Sequence, residues 1–333
     1  MKMHTKIMAI ITLIMSTIMV ISSENWLSMW MGLEINMMSF IPLMEKTKNK
    51  SSSEAKMMYF LIQSISSMVF LFMIIINSKM MINENLEKLS TILMNMSMIM
   101  KMGMAPMNLW FINIMNKLSW ENCLILMTWQ KIAPMFVMSN MYMSKMMIMM
   151  ITMMNAIIGA IGGLNQTSIK KIMAFSSVNH MSWMFICMKY NNETWIKYLI
   201  IYMLMLIPMI LFFKMNSIYH MNQMNMNIKT KTQKINIMIM MMSMGGLPPF
   251  IGFYPKWMVI QSIMMYETMF TMMILMFSSM ITLFYYLRMI SPIIMMNSTN
   301  QKWIMKTNES KKIMMMNMIV NLMLPITLIL NIM

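Results

Sequence analysis

Four charged side chains stand inside stretches of sequence that are otherwise almost free of charge: Glu34, Lys101, Lys131 and Lys256. A lysine at the centre of an apolar membrane segment costs roughly 2.5–3.5 kcal/mol even on a lenient insertion scale, so such residues are functional candidates by default. A medium of low dielectric disfavours the charged form of an amine, and a nearby carboxylate restores it. A set of groups balanced in this way, joined by water and by Ser, Thr or His, is a proton relay. His180, in Ser176-Ser177-Val178-Asn179-His180, fits two readings. It can pass protons through its two ring nitrogens, or it can hydrogen-bond a neighbouring helix.

Two of the lysines flank helix breakers. Lys101 precedes Gly103-Met104-Ala105-Pro106, and Lys256 follows Gly245-Gly246-Leu247-Pro248-Pro249. Proline removes a helix donor and clashes with the preceding turn. The backbone groups freed at such a break can hold water where an intact helix would not. Other chemistries find no support. There is no dinucleotide fingerprint, iron–sulfur cysteine set or haem arrangement, so neither a metal nor a cofactor site is expected in this chain. Cys123 and Cys187 stand singly in apolar runs and read as small buried hydrophobes. Gly159-Ala160-Ile161-Gly162-Gly163 reads as a close helix-packing face. It is not a phosphate loop, because Leu164-Asn165 follows where Gly-Lys-Ser/Thr is required.

The elements that must position these residues are membrane helices. Of 333 residues, 59% are hydrophobic and 11% charged, against about 25% charged in an ordinary soluble domain. Apolar runs near the roughly 20 residues needed to cross a bilayer recur from end to end. The first five cover about 7–21, 25–44, 56–76, 89–118 and 122–143. The next five cover about 147–164, 169–188, 194–215, 235–264 and 268–288, and the last about 313–332. The expected fold class is therefore all-α, a single polytopic transmembrane domain over 1–333 with about eleven spans. Met1 to Ser22 also has the form of a signal peptide, and its removal would leave ten spans.

The fourth and ninth spans are too long, since 30 residues of helix reach about 45 Å where the hydrocarbon core is about 30 Å. A discontinuous helix is expected at both. They sit five ordinals apart, so helices 1–5 (about 7–143) and 6–10 (about 147–288) read as related halves, with helix 11 appended. Repeats of odd span number are inverted relative to one another. The net charge of +16 does not point to nucleic acid, because the lysines lie in short loops between spans. Eighteen basic residues fall in the N-terminal segment and even-numbered junctions against five in the odd ones. The N-terminus is therefore expected on the positive-inside face and Met333 on the other.

Taken in order, the motifs resemble a known family. Trp30 to Asn36 with Ser39-Phe40-Ile41-Pro42, Lys101 to Pro106 with Trp110, and Thr128 to Pro134 are three of them. Lys170 to Ser177 with His180 and Trp183, and Gly246 to Phe250 with Gly252-Phe253 and Pro255-Lys256-Trp257, are the others. Together they are similar to the subunit 2 family of NADH:ubiquinone oxidoreductase, respiratory complex I. The resemblance implies an antiporter-like fold, shortened at the N-terminus, in the membrane arm of the complex. It implies proton translocation across the mitochondrial inner membrane, coupled to NADH oxidation and ubiquinone reduction in other subunits. It implies that Glu34 pairs with Lys101, that Lys131 lies on a central hydrophilic axis and that Lys256 faces the exit side. NADH, FMN, iron–sulfur clusters and ubiquinone would then belong to partner subunits. The partners would be antiporter-like subunit 4, the small core subunits 3, 4L and 6, and the lipid bilayer. The N-terminus would face the matrix and the C-terminus the intermembrane space.

One departure is Asn108, where many members carry a histidine that can titrate. Another is composition: 69 methionines, no aspartate and one arginine, Arg288, against 25 lysines. Methionine and isoleucine are nearly equivalent to lipid. A genome rich in A and T that reads ATA as methionine, as invertebrate mitochondrial DNA does, would drift this way. Two other readings share the fold: a self-standing cation/proton antiporter, and a scaffold of the membrane arm that conducts nothing. The buried charges weigh against the scaffold.

Overall fold

The computed structural model describes residues 3–45, 50–79, 84–190, 192–227, 230–264 and 269–295, with 317–319 and 321. Among the described residues there are fourteen helices, and the one β pairing is an isolated bridge between Ser168 and His220. The helices fall into two compact units, Met1–Ile148 and Met149–Met333. The expected span at 313–332 lies outside the described residues except for 317–319 and 321.

The first unit holds α1 (Met3–Ser22), α2 (Trp26–Leu43), α3 (Lys50–Lys79), α4 (Glu84–Met102), α5 (Leu109–Lys117), α6 (Trp120–Met127) and α7 (Trp129–Ser139). Helix α8 (Lys145–Leu164) crosses from it into the second unit, which holds α9 (Ile169–Tyr190), α10 (Asn192–Met215), α11 (Met221–Asn227), α12 (Lys231–Gly245), α13 (Phe253–Met264) and α14 (Met269–Met295). Five of them, over His4–Ser22, Lys50–Ser78, Lys145–Leu164, Glu193–Met215 and Met269–Met295, are long and apolar enough to cross a bilayer. Helix α1 shows how they are faced. Ala9, Leu13, Ser16 and Val20 are buried at helical spacing, while Ile7, Met8, Ile11, Met15 and Ile18 are exposed. On α14, Phe270, Met273, Phe277, Met280 and Phe284 are exposed in the same way. Apolar surface that extends over whole helices suits lipid and not water.

Helix α9 is built differently. It carries Ser176, Ser177, Asn179, His180 and Ser182, and every residue from 172 to 187 is buried. A polar helix at membrane depth is tolerable when protein surrounds it on all sides. Small residues let the neighbours close in: a Cβ at Gly159 of α8 would lie 2.8 Å from the backbone nitrogen of Asn179. The glycine-rich run of α8 is thus the packing face its spacing predicts.

Both long spans are broken where expected, and in the same manner. Helix α4 ends with Gly103 at φ +67°, its N–H bonded to Met100 O (3.2 Å) and that of Met104 to Ile99 O (3.1 Å). Helix α12 ends with Gly246 at φ +78°, its N–H bonded to Ser243 O (3.0 Å) and that of Leu247 to Met242 O (3.3 Å). Each pair is the double bond of a Schellman cap, which needs a left-handed residue and so selects glycine. Proline follows within three residues in both cases and prevents the helix from resuming at once. Proline alone is not enough, because Pro134 and Pro208 lie inside helices that continue for a turn or more beyond them. Two features differ from the expected spans. The fifth is interrupted at Thr128 (φ −114°, ψ −74°), between α6 and α7. Helix α11 forms where only a loop was expected.

Candidate functional site

In the first unit the site grows from the end of α4. Lys101 occupies the last turn of that helix, where the freed carbonyls give the negative end of the helix dipole. Its own carbonyl accepts from Gln63 Nε2 at 2.9 Å. The chain then passes through the break, with a cis Ala105–Pro106 bond, and re-enters as α5. Phe111 of α5 packs back onto the break, since a Cβ on Gly103 would lie 2.7 Å from Phe111 Cβ. The Lys131 ammonium stands 5.3 Å from the centre of that ring, a cation–π distance. Lys131 is in the first turn of α7, and its N–H bonds Thr128 O at 3.2 Å, a tightened bond that marks the interruption.

Lys101 and Lys131 are both buried, and both line one small cavity of ≈ 20 Å³ with Asn36, Tyr59, Gln63 and Gln130. That volume is on the scale of one water molecule. A fixed polar chain runs along its wall: Tyr59 hydroxyl donates to Gln130 Oε1 (3.3 Å), and Gln130 Nε2 donates to Asn36 Oδ1 (3.1 Å). Glu34, two residues before Asn36 on α2, is half-buried and acts electrostatically on Lys101. Among the described residues the two do not close to an ion pair within 4.0 Å. Asn108, at the start of α5, is buried, and its Nδ2 has no hydrogen-bond partner among the described residues. Glu45, just beyond the end of α2 and outside the spans, has its carboxyl held below its ordinary range by Lys56 at 2.6 Å.

The other two predicted residues lie in the second unit, each with partners of its own. Lys256, near the start of α13, is buried and donates to Gly245 O at 2.7 Å, a carbonyl freed by the break in α12. The absence of a side chain at Gly246 makes room for it, because a Cβ there would stand 2.8 Å from Lys256 Nζ. His180 is buried, with Nδ1 2.9 Å from the Tyr198 hydroxyl and its ring 4.9 Å from that of Tyr202.

Sequence reasoning missed the residues around His180. Around it stand Tyr198 and Tyr202 of α10; Tyr285 and Tyr286 of α14 were also missed, and all four are fully buried. It also missed Gln63, Gln130 and Asn36, neutral residues whose types carry no signal until the fold brings them to the lysines. A weak signal existed for the tyrosines. Ser278, Thr282 and Tyr285 recur at one-face helical spacing inside an apolar run.

With this geometry in place, comparison with known proteins identifies the family. The profile of the NADH:quinone oxidoreductase/Mrp antiporter transmembrane family matches residues 23–282. The chain is 40% identical over 317 residues to NADH-ubiquinone oxidoreductase chain 2 of Anopheles gambiae, covering 94% of this chain and 92% of that one. It is 35% identical over 339 residues to the chain of the same name from Ovis aries, covering 98% of both. Its fold is similar to a chain of respiratory complex I from Thermus thermophilus, with a TM-score of 0.83 at 16% identity over 95% of this chain and 76% of that one. A chain of the archaeal membrane-bound sulfane sulfur reductase gives a TM-score of 0.80 at 14% identity, covering 94% and 71%. The chain belongs to the NADH-ubiquinone oxidoreductase chain 2 family, the antiporter-like, proton-pumping membrane-arm subunits of respiratory complex I.

Proposed function

We propose that Glu34, Lys101 and Lys131 form the proton relay of the first unit, and that His180 and Lys256 serve the second. The observation that carries this reading is the shared cavity: two buried lysines line one small space with Asn36, Tyr59, Gln63 and Gln130, beside a helix break. A proton on one amine repels a proton on the other, so loading Lys131 lowers the affinity at Lys101. Glu34 supplies the opposing charge without closing a fixed ion pair, which leaves Lys101 free to change partner. Lys256 would release or take its proton where the Gly245 carbonyl holds it, on the exit side. Redox chemistry belongs to other subunits, which carry NADH, FMN, iron–sulfur clusters and ubiquinone; this chain's part is the proton.

The same reading takes the chain as one transmembrane domain of eleven spans, two inverted five-helix halves and a final helix over about 313–332. The identical Schellman-and-proline breaks of α4 and α12 support the repeat. The lysine distribution supports an N-terminus in the matrix and a C-terminus in the intermembrane space of the mitochondrial inner membrane. Its neighbours would be antiporter-like subunit 4 and the small core subunits 3, 4L and 6.

Lys131→Met tests the relay, since methionine keeps length and packing and removes the titrating group. In the assembled complex reconstituted into liposomes, NADH oxidation with ubiquinone should continue to be measurable while proton uptake falls severely. Assembled complex that pumps at the normal rate and proton-to-electron ratio would refute the role and favour the scaffold.

A further inference from the structure

Three neutral side chains on the wall of the cavity in the first unit bind only one another. Tyr59 of α3 donates to Gln130 Oε1 of α7 at 3.3 Å, and Gln130 Nε2 donates to Asn36 Oδ1 of α2 at 3.1 Å. Among the described residues their side chains have no other hydrogen-bond partner. Gln63, by contrast, serves the backbone, since its amide donates to Lys101 O. Stability does not require the three. Replacing both partners of a hydrogen bond by apolar groups of the same shape can be nearly neutral, and Leu33, Met37 and Leu126 already line the same cavity. What the three share is the space itself, ≈ 20 Å³ that Lys101 and Lys131 also line, room for one water.

The Gln130 amide is held from both ends. Its oxygen accepts from Tyr59 and one of its N–H groups is spent on Asn36, which sets its orientation. Tyr59 is in turn fixed between rings, its centroid 5.2 Å from that of Phe40 and 6.2 Å from that of Trp110. A primary amide carries two donors, so one N–H of Gln130 stays available, next to Lys131 in the chain. An amide does not titrate, whereas a carboxylate in its place would hold a proton on a neighbouring amine.

We propose that Gln130 is a positioning residue: its amide, fixed by Tyr59 and Asn36, holds one water in this cavity so that the water passes a proton between Lys131 and Lys101. The free N–H of Gln130 donates to the water oxygen. The Lys131 ammonium gives that oxygen a proton as the water gives one of its own hydrogens to the neutral Lys101 amine. One N–H bond breaks at Lys131 and one forms at Lys101, and the water is neutral before and after. Lys101 is the acceptor, and Glu34 supplies the opposing charge. A wall of amides and a phenol keeps the space polar without trapping the proton. The role rests on the proton-relay reading above and adds to it a residue that carries no charge.

The test uses the assembled complex in liposomes with Gln130→Leu, Gln130→Glu or Lys131→Met, and Gln261→Leu as an exposed control. Assembly is read on native gels stained for NADH dehydrogenase activity. Gln130→Leu should lower NADH-driven proton uptake by about tenfold to a hundredfold, the upper figure being what a misplacement of about 1 Å can cost. Gln130→Glu keeps the shape but adds a carboxylate that holds the proton on the amine. Its pumping should fall near neutral pH and recover as the pH rises, moving the optimum upward. A merely structural role would lower pumping at every pH and leave the optimum in place. Gln261→Leu should match the parent. Normal pumping by Gln130→Leu beside a Lys131→Met that does not pump overturns the positioning role and leaves the lysine relay standing. An unmoved optimum in Gln130→Glu overturns it equally. Normal pumping by Lys131→Met overturns the lysine relay and this role with it. Should one Gln130 variant fail to assemble, the other decides.

Discussion

Alanine at Gly246 and alanine at Gly245 differ by one position and should have opposite consequences. Gly246 sits at φ +78°, where a residue with a Cβ is strained by about 1–2 kcal/mol. Its new methyl group would also stand 2.8 Å from Lys256 Nζ. The amine would have to leave the Gly245 carbonyl that it holds at 2.7 Å, forfeiting a bond worth about 1.5–3 kcal/mol when the donor is charged. Together these amount to about 2.5–5 kcal/mol, about two to three and a half tenfold steps in the population of the native break. Gly245 is helical, and a Cβ there meets Leu283 at 3.4 Å, an ordinary contact. Alanine should be tolerated there and gains up to about 1 kcal/mol of helix propensity. The assay is the yield of assembled complex, followed by NADH-driven proton uptake in liposomes. Gly246→Ala should lose most pumping and Gly245→Ala should retain it. Equal behaviour of the two variants would show that neither the left-handed cap nor the seat of Lys256 matters.

Three further outcomes follow from the same geometry. Arg288→Lys keeps the charge but loses the planar fork that reaches Leu164 O and Gln166 O. The cost should be about 1–2 kcal/mol, read as faster amide exchange at the end of α8, and unchanged exchange would contradict the clamp. Gln63→Leu leaves Lys101 O buried without its donor, a loss of about 1–3 kcal/mol, to be seen as a lower temperature of thermal inactivation than for a lipid-facing control such as Met68→Leu. For orientation, protease added to sealed inner-membrane vesicles should reach the C-terminus only from the intermembrane-space side, and access from the matrix side alone would overturn the charge count.

Much of this protein is legible in its sequence. Helical spans in lipid must satisfy their backbone internally, so hydropathy and length mark the helical class, and five helices among the described residues meet both; the four charges inside apolar runs stand out by cost. The breaks at Gly103 and Gly246 are equally legible, because a 30-residue span with a glycine and proline cluster has few alternatives. The interruption at Thr128 is not, since neither glycine nor proline marks it. Local sequence does separate Pro106 from Pro134, because only Pro106 follows a glycine, Gly103, that can cap the preceding turn left-handed. Only the tertiary structure could bring Lys101 and Lys131 to one cavity, assign Gly245 O to Lys256, and set Tyr198 and Tyr202 of α10 against His180. Burial cost depends on one residue and its neighbours in the chain, so sequence carries it. Hydrogen-bond partnership depends on side chains 18 to 99 residues apart, such as His180 with Tyr198 and Asn179 with Ser278, and is decided by how the helices pack.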